Sequence, residues 1–111
     1  MKRVLITGAT SGYGLESAKK FKENGYTVII ASRNAEKVAD CVKKYSFDGG
    51  YKLDVTNYDE WLCVRDSVVK DFGGIDILVN NAGAGISIVD TVDQKKEDID
   101  NIIALNLTSS I

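Results

Sequence analysis

With 111 residues, the chain suits one domain and has no room for a separate substrate domain. An apolar share of 44% and a charged share of 27% are those of a soluble globular protein, and a net charge of -2 argues against non-specific binding to nucleic acid or an anionic membrane. No apolar run approaches a membrane span, the N-terminus enters a strand-like run rather than a signal peptide, and the absence of histidine removes the commonest acid–base group and metal ligand.

Cys41 and Cys63 are too few for a disulfide framework and lack metal-ligand spacing. Both fall in helical patterns and read as buried, reduced thiols, so the expected compartment is the cytoplasm.

The chain opens on the apolar run Val4-Leu5-Ile6, which breaks into Thr7-Gly8-Ala9-Thr10-Ser11-Gly12-Tyr13-Gly14. A buried strand followed by spaced glycines and a helix is how a parallel α/β sheet binds a pyrophosphate. Gly8 permits a tight turn, Gly12 lets the backbone approach phosphate oxygens, and Gly14 lets the helix pack close to the sheet with its N–H groups aimed at the anion. The spacing is Gly-x-x-x-Gly-x-Gly, neither Gly-x-Gly-x-x-Gly nor a phosphate loop ending in Gly-Lys-Ser/Thr. A glycine-rich turn without a ligand is the plainer alternative, and three glycines at one strand-to-helix junction count against it.

Residues 14–24 then form a helical pattern with Gly14, Ala18 and Phe21 on one face, and Gly25 stops it. Residues 27–31 are rich in β-branched side chains and predict a second buried strand. Asn34 can cap the next helix, in which Val38, Cys41, Val42 and Tyr45 share a face. After Gly49-Gly50, residues 51–55 suggest a third strand. Thr56 with Asp59 resembles a capping box for a helix over about 57–72 that buries Trp61, Val64 and Val68 and ends at Gly73-Gly74. Residues 75–79 make a fourth strand, residues 84–94 read as a polar loop, and a last helix runs from about Lys96 to residue 111. The alternation predicts an α/β, doubly wound parallel sheet of Rossmann type, with about four strands and helices on both faces.

Separated motifs now agree, and together they resemble the short-chain dehydrogenase/reductase family over the whole chain. Its Thr-Gly-x-x-x-Gly-x-Gly stands at residues 7–14, its Asn-Asn-Ala-Gly at Asn80-Asn81-Ala82-Gly83, its aspartate after the third strand at Asp54, and its helix asparagine at Asn106. Tyr13 departs from the small aliphatic residue usual there and changes the wall of the phosphate site. The resemblance implies a cofactor site of Gly8, Thr10, Ser11, Gly12, Tyr13, Gly14, Ser32, Arg33, Asp54, Val55, Asn81, Ala82 and Gly83. Asp54 would accept from the adenine amino group while the Val55 backbone approaches the ring. Asn80 and Asn81 can tie neighbouring strands together, and Ala82-Gly83 can pass close to the cofactor ribose. Asn106 follows Ile99, Ile102 and Ile103 on an apolar helix face, and in the family it holds a water in a proton relay. Plainer readings stay open: a solvated strand-end Asp54, an ordinary turn at Asn80-Asn81, and a merely packed Asn106.

An acid at the end of the second strand would hydrogen-bond the adenosine ribose and repel a 2′-phosphate. Ser32-Arg33 stands there instead, so the cofactor expected is NADP rather than NAD. Against this, Ser11 is neutral where many NADP-preferring relatives carry a base, and Arg33 alone can be a surface cation opposing the helix dipole.

The family moves a hydride between nicotinamide and an alcohol or carbonyl, using a Tyr-x-x-x-Lys pair and an upstream serine. None of the 5 tyrosines is followed four residues on by lysine, and Ser109 and Ser110, near a helix end, are poor substitutes for the serine. The expectation is the N-terminal, cofactor-binding part of an NADP-dependent oxidoreductase acting on a small alcohol or carbonyl, inactive by itself. A free-standing, non-catalytic nucleotide-binding or interaction module is the alternative. A methyltransferase on the same sheet is disfavoured by the glycine spacing and Arg33. The fourth strand is expected on an open edge and the Ile-rich last helix against a partner subunit, so the chain alone should self-associate, as a homo-oligomer, or be marginally folded.

Overall fold

The computed structural model describes residues 2–81 together with the backbone of Ser87–Asp90. In chain order these are β1 (Arg3–Thr7), α1 (Gly12–Glu23), β2 (Thr27–Ser32), α2 (Ala35–Tyr45), β3 (Gly49–Lys52), α3 (Tyr58–Phe72), β4 (Ile77–Asn80) and β5 (Ser87–Asp90). The sheet order is β3-β2-β1-β4-β5. The first four strands run parallel and β5 lies antiparallel beside β4.

Strand periodicity divides the core between two faces. Val4, Ile6, Val28, Ile30 and Val79 pack on one side with Ala18 of α1 and Val38 of α2. Leu5, Ile29 and Leu78 pack on the other with Trp61, Val64 and Val68 of α3. Because helices cover both faces, the strands carry near-continuous apolar runs, and each fully buried aliphatic side chain contributes about 1.5–3 kcal/mol. Trp61 is fully buried without an orphaned donor, since its indole N–H donates to the Val55 carbonyl at 2.7 Å.

Several boundaries differ from those read in the sequence. The third strand is Gly49–Lys52 rather than residues 51–55, pairing Ile29 with Gly49 and Ser32 with Lys52. A Cβ on Gly49 would lie 2.7 Å from Phe72 of α3, and one on Gly50 would lie 2.5 Å from Val38 of α2. The glycines are therefore strand residues on which helices of both faces press directly. Leu53 and Val55 remain buried just past the strand.

The cap of α3 is Asn57, one residue beyond Thr56: its side chain accepts from the Glu60 N–H at 3.1 Å. Asn34 caps α2 as expected, accepting from the Lys37 N–H at 3.1 Å. Cys63 is exposed and Cys41 half-buried, so neither is the buried thiol expected; α3 turns Cys63 away from the sheet that Trp61 and Val64 face. The edge of β4 is not open. Ser87–Asp90, within the stretch read as a loop, pairs with it from Ile77↔Asp90 to Asn80↔Ser87. The helix expected from Lys96 onward lies outside the described residues.

Candidate functional site

The carboxyl ends of the parallel strands meet at the glycine turn. Thr7, fully buried, donates its hydroxyl to Asn80 Oδ1 at 2.9 Å and accepts from the Asn81 N–H at 3.1 Å. Asn81 Nδ2 donates to the Gly8 carbonyl at 3.3 Å, while the Gly8 N–H donates to the Ala31 carbonyl at 2.8 Å. The turn is thus anchored to β4 on one side and β2 on the other. Asn80 is buried and its amide is used inside this network, so it braces the turn rather than facing outward.

The glycines act in different ways. Gly8 and Gly12 have φ of 62° and 58°, where a side chain is strained. A Cβ on Gly14 would collide with the Gly8 carbonyl oxygen and lie 2.6 Å from Asn81 Nδ2, so this glycine sets how closely α1 approaches the turn. Among the described residues, a Cβ on Gly12 would meet nothing within 4 Å. The backbone of Gly12 is consequently bare toward open space at the start of a helix, which is the cradle a phosphate group requires.

The first turn of α1 matches that use. Ser11 occupies the N-cap position without a side-chain capping bond, and no acid stands in the first turn. In contrast, α2 and α3 have asparagine caps and carry Glu36 and Asp59–Glu60 in their first turns. Ser11 and Gly12 are exposed, and Tyr13 is 79% exposed on the first turn. The start of α1 therefore offers N–H groups and a positive dipole end with no acid of its own first turn opposing a ligand.

Next to the turn, the hydroxyls of Thr10 and Ser32 lie 3.4 Å apart, linking the glycine loop to the end of β2. Arg33 follows, exposed, and among the described residues it makes no ion pair. Past β3, Asp54 Oδ1 accepts from the Thr56 hydroxyl at 2.6 Å and from its N–H at 3.0 Å. The Asp54 N–H donates to Glu60 Oε1 at 3.3 Å, and Lys52 Nζ reaches the same oxygen at 3.3 Å. The Thr56 hydroxyl bond, then its N–H bond, hold the Asp54 carboxyl below its ordinary range, with smaller help from the charges of Arg33 and Lys52. Asp54 is an ionised acceptor at neutral pH.

Gly8, Thr10, Ser11, Ser32, Arg33, Asp54, Val55 and Asn81 thus lie at or just past the carboxyl ends of the parallel strands, and Gly12, Tyr13 and Gly14 in the first turn of α1 beside them. Ala82, Gly83 and Asn106 lie outside the described residues. Thr56 and Glu60 were missed as members of the group because their pattern suits a helix start equally well. A separate groove of about 520 Å³, lined by Ser17, Lys20, Phe21, Asn24 and Tyr26, sits at the opposite end of α1. No helix among the described residues is long and apolar enough to cross a membrane.

A parallel sheet ordered β3-β2-β1-β4, with a glycine turn at the switch between β1 and β4, defines a Rossmann-type nucleotide-binding domain. The short chain dehydrogenase family matches residues 2–111, and the chain belongs to that family. It is 42% identical over 92 residues to an uncharacterized oxidoreductase of Mycobacterium tuberculosis, covering 77% of this chain and 27% of that one. It is 39% identical over 110 residues to the 3-oxoacyl-(acyl-carrier-protein) reductase of Thermotoga maritima, covering 96% of this chain and 44% of the relative. Among solved structures it is similar to actinorhodin polyketide ketoreductase with NADPH, at 35% identity and a TM-score of 0.69, over 74% of this chain and 33% of that one. The chain spans less than half the length of these curated relatives.

Proposed function

We propose that this chain is the cofactor-binding part of an NADP-dependent oxidoreductase that moves a hydride between the nicotinamide ring and a small alcohol or carbonyl compound. The observation that carries the reading is the bare backbone at Gly12, facing open space within a turn braced on both sides. A dinucleotide fits there: its pyrophosphate would take the N–H groups of Ser11 through Gly14, with Gly8, Thr10 and Tyr13 around it. Asp54 and Val55 would hold the adenine, Asn81, Ala82 and Gly83 would border the ribose, and Asn106 would serve proton transfer. The bound cofactor supplies the hydride; these residues bind and orient it.

NADP is favoured over NAD because Ser32 presents no carboxylate and the adjacent Arg33 guanidinium has no ion pair among the described residues. The solved relative holding NADPH supports the same choice. Losing a charge-assisted contact costs about 1.5–3 kcal/mol, so Arg33→Ala is expected to weaken NADP by roughly tenfold or more and leave NAD nearly unchanged. Titration calorimetry on the intact protein measures both; equal losses would remove Arg33 from the 2′-phosphate. The same reading includes a cytoplasmic homo-oligomer, which light scattering checks: a stable monomer overturns that part alone.

A further inference from the structure

We infer that Thr56 is a positioning residue for recognition of the adenine base, acting by fixing which oxygen of the Asp54 carboxylate faces the nucleotide. Both donors of Thr56 converge on Oδ1, the hydroxyl at 2.6 Å and the N–H at 3.0 Å. An aspartate side chain normally turns between rotamers at a strand end; two bonds to one oxygen from a residue two positions later remove that freedom. The turn beneath is itself held. The Asn57 N–H donates to the Asp54 carbonyl at 2.9 Å, and the Asp54 N–H donates to Glu60 Oε1, whose own helix starts on the Asn57 cap.

With Oδ1 occupied, Oδ2 is the acceptor left for an exocyclic amino group. No hydrogen bond to it occurs among the described residues. The arrangement selects an amino-bearing purine. A base with a carbonyl at the same position would place two acceptors face to face, leaving both unpaired. Thr56 thereby converts a mobile acid into a one-sided reader, and its hydroxyl serves this turn instead of capping α3, a task Asn57 already performs.

The inference rests on the dinucleotide reading above, and one experiment separates the two. Dissociation constants are measured by calorimetry on the intact protein for NADP and for its hypoxanthine analogue, in which the amino group is replaced by a carbonyl. The wild type is expected to prefer the adenine form by about tenfold or more. Thr56→Val is expected to cut that preference to about threefold or less, and Thr56→Ser, which restores the hydroxyl, to keep it. In an Asp54→Asn background, adding Thr56→Val is expected to change the preference no further, because the effect passes through the carboxylate. Thermal melts of each variant exclude simple unfolding, and Thr56→Ala replaces Thr56→Val should that protein not fold.

An unchanged preference in Thr56→Val, or equal losses in Thr56→Val and Thr56→Ser, overturns the inference. A wild type that binds both forms equally overturns the contact between Asp54 and the base. A wild type that binds neither overturns the cofactor reading itself.

Discussion

Two glycines two residues apart make opposite demands on the chain. At Gly14 the obstacle is protein: an added Cβ strikes the Gly8 carbonyl and presses on Asn81 Nδ2. Neither neighbour can yield cheaply, since one is backbone and the other is the bond that ties β4 to the turn. Gly14→Ala is therefore expected to destabilise the fold by about 1–3 kcal/mol, the range for overpacking a tight contact. At Gly12 no atom of the described residues stands in the way, and the cost to the fold is that of φ near +58°, about 1 kcal/mol. The added methyl would instead occupy the space where a phosphate must come. Gly12→Ala is expected to lose more nucleotide affinity than stability, and Gly14→Ala to lose both together. Urea denaturation beside calorimetric titration measures the two quantities, and a Gly12→Ala protein that binds normally would move the anion away from this turn.

Between elements, the start of β4 is fastened to the start of β1 by one pair. The Arg3 N–H donates to Asp76 Oδ2 at 2.7 Å, the guanidinium reaches the same oxygen at 3.2 Å and the Phe72 carbonyl at 2.8 Å. Partial burial opposes ionisation of Asp76, but the Arg3 bonds and charge outweigh it and hold the carboxyl below its ordinary value of 3.8. A carboxyl depressed in the fold contributes stability above its unfolded value and loses it as pH falls through the folded one. Asp76→Asn is accordingly expected to cost about 1–3 kcal/mol near neutral pH, with the difference from wild type shrinking below about pH 4. Urea melts from acid to neutral pH check this, and a pH-independent difference would place the contribution in shape rather than charge. Nothing in the sequence marks Asp76 as a fastening residue, because its partner lies 73 positions away. The same limit explains the other displaced elements. Strand β1 and its glycine turn were legible because hydropathy and glycine spacing are local. Gly49 and Gly50 were not, since glycine carries no hydropathy signal and their need for a missing Cβ comes from Phe72, Val38 and Val42. Strand β5 has four residues and two apolar ones, too short for alternation to separate it from a loop. At the site, the glycines and Ser32-Arg33 could be singled out from residue type and spacing, and Asp54 only through the resemblance to the family. Thr56 could not, because a threonine before a helix satisfies the capping pattern equally well.

At the scale of the whole molecule, the proposed cofactor-binding residues that are described lie together at the carboxyl ends of the parallel strands and the start of α1, while no tyrosine of the sequence is followed four residues on by lysine. The Tyr-x-x-x-Lys pair that the family resemblance implies for this step works by a lysine, one helical turn later, drawing down the phenol so that it can exchange a proton near neutral pH. Tyr51 is the reverse case: burial, then its 2.8 Å bond to Asp71 and the charge of that carboxylate, push its phenol up. Tyr13 stands on the first turn of α1, but the residue four positions on is Ser17, and the remaining tyrosines are followed by Ile30, Gly49, Val55 and Leu62. General acid–base catalysis contributes about 10²–10⁴-fold, and substrate positioning contributes further. The 111-residue polypeptide is therefore expected to bind NADPH yet leave its absorbance unchanged beside small ketones and aldehydes. The measurement needs a sample whose intact mass is verified, so that a longer, active species is not assayed in its place. Binding without turnover fits a cofactor-holding part whose proton-transfer groups lie elsewhere. Turnover at about 1 s⁻¹ or faster, within the range of ordinary enzymes, would mean that a group within these residues performs the proton transfer. Such activity, abolished by Tyr13→Phe, would assign that role to the exposed phenol beside the glycine turn.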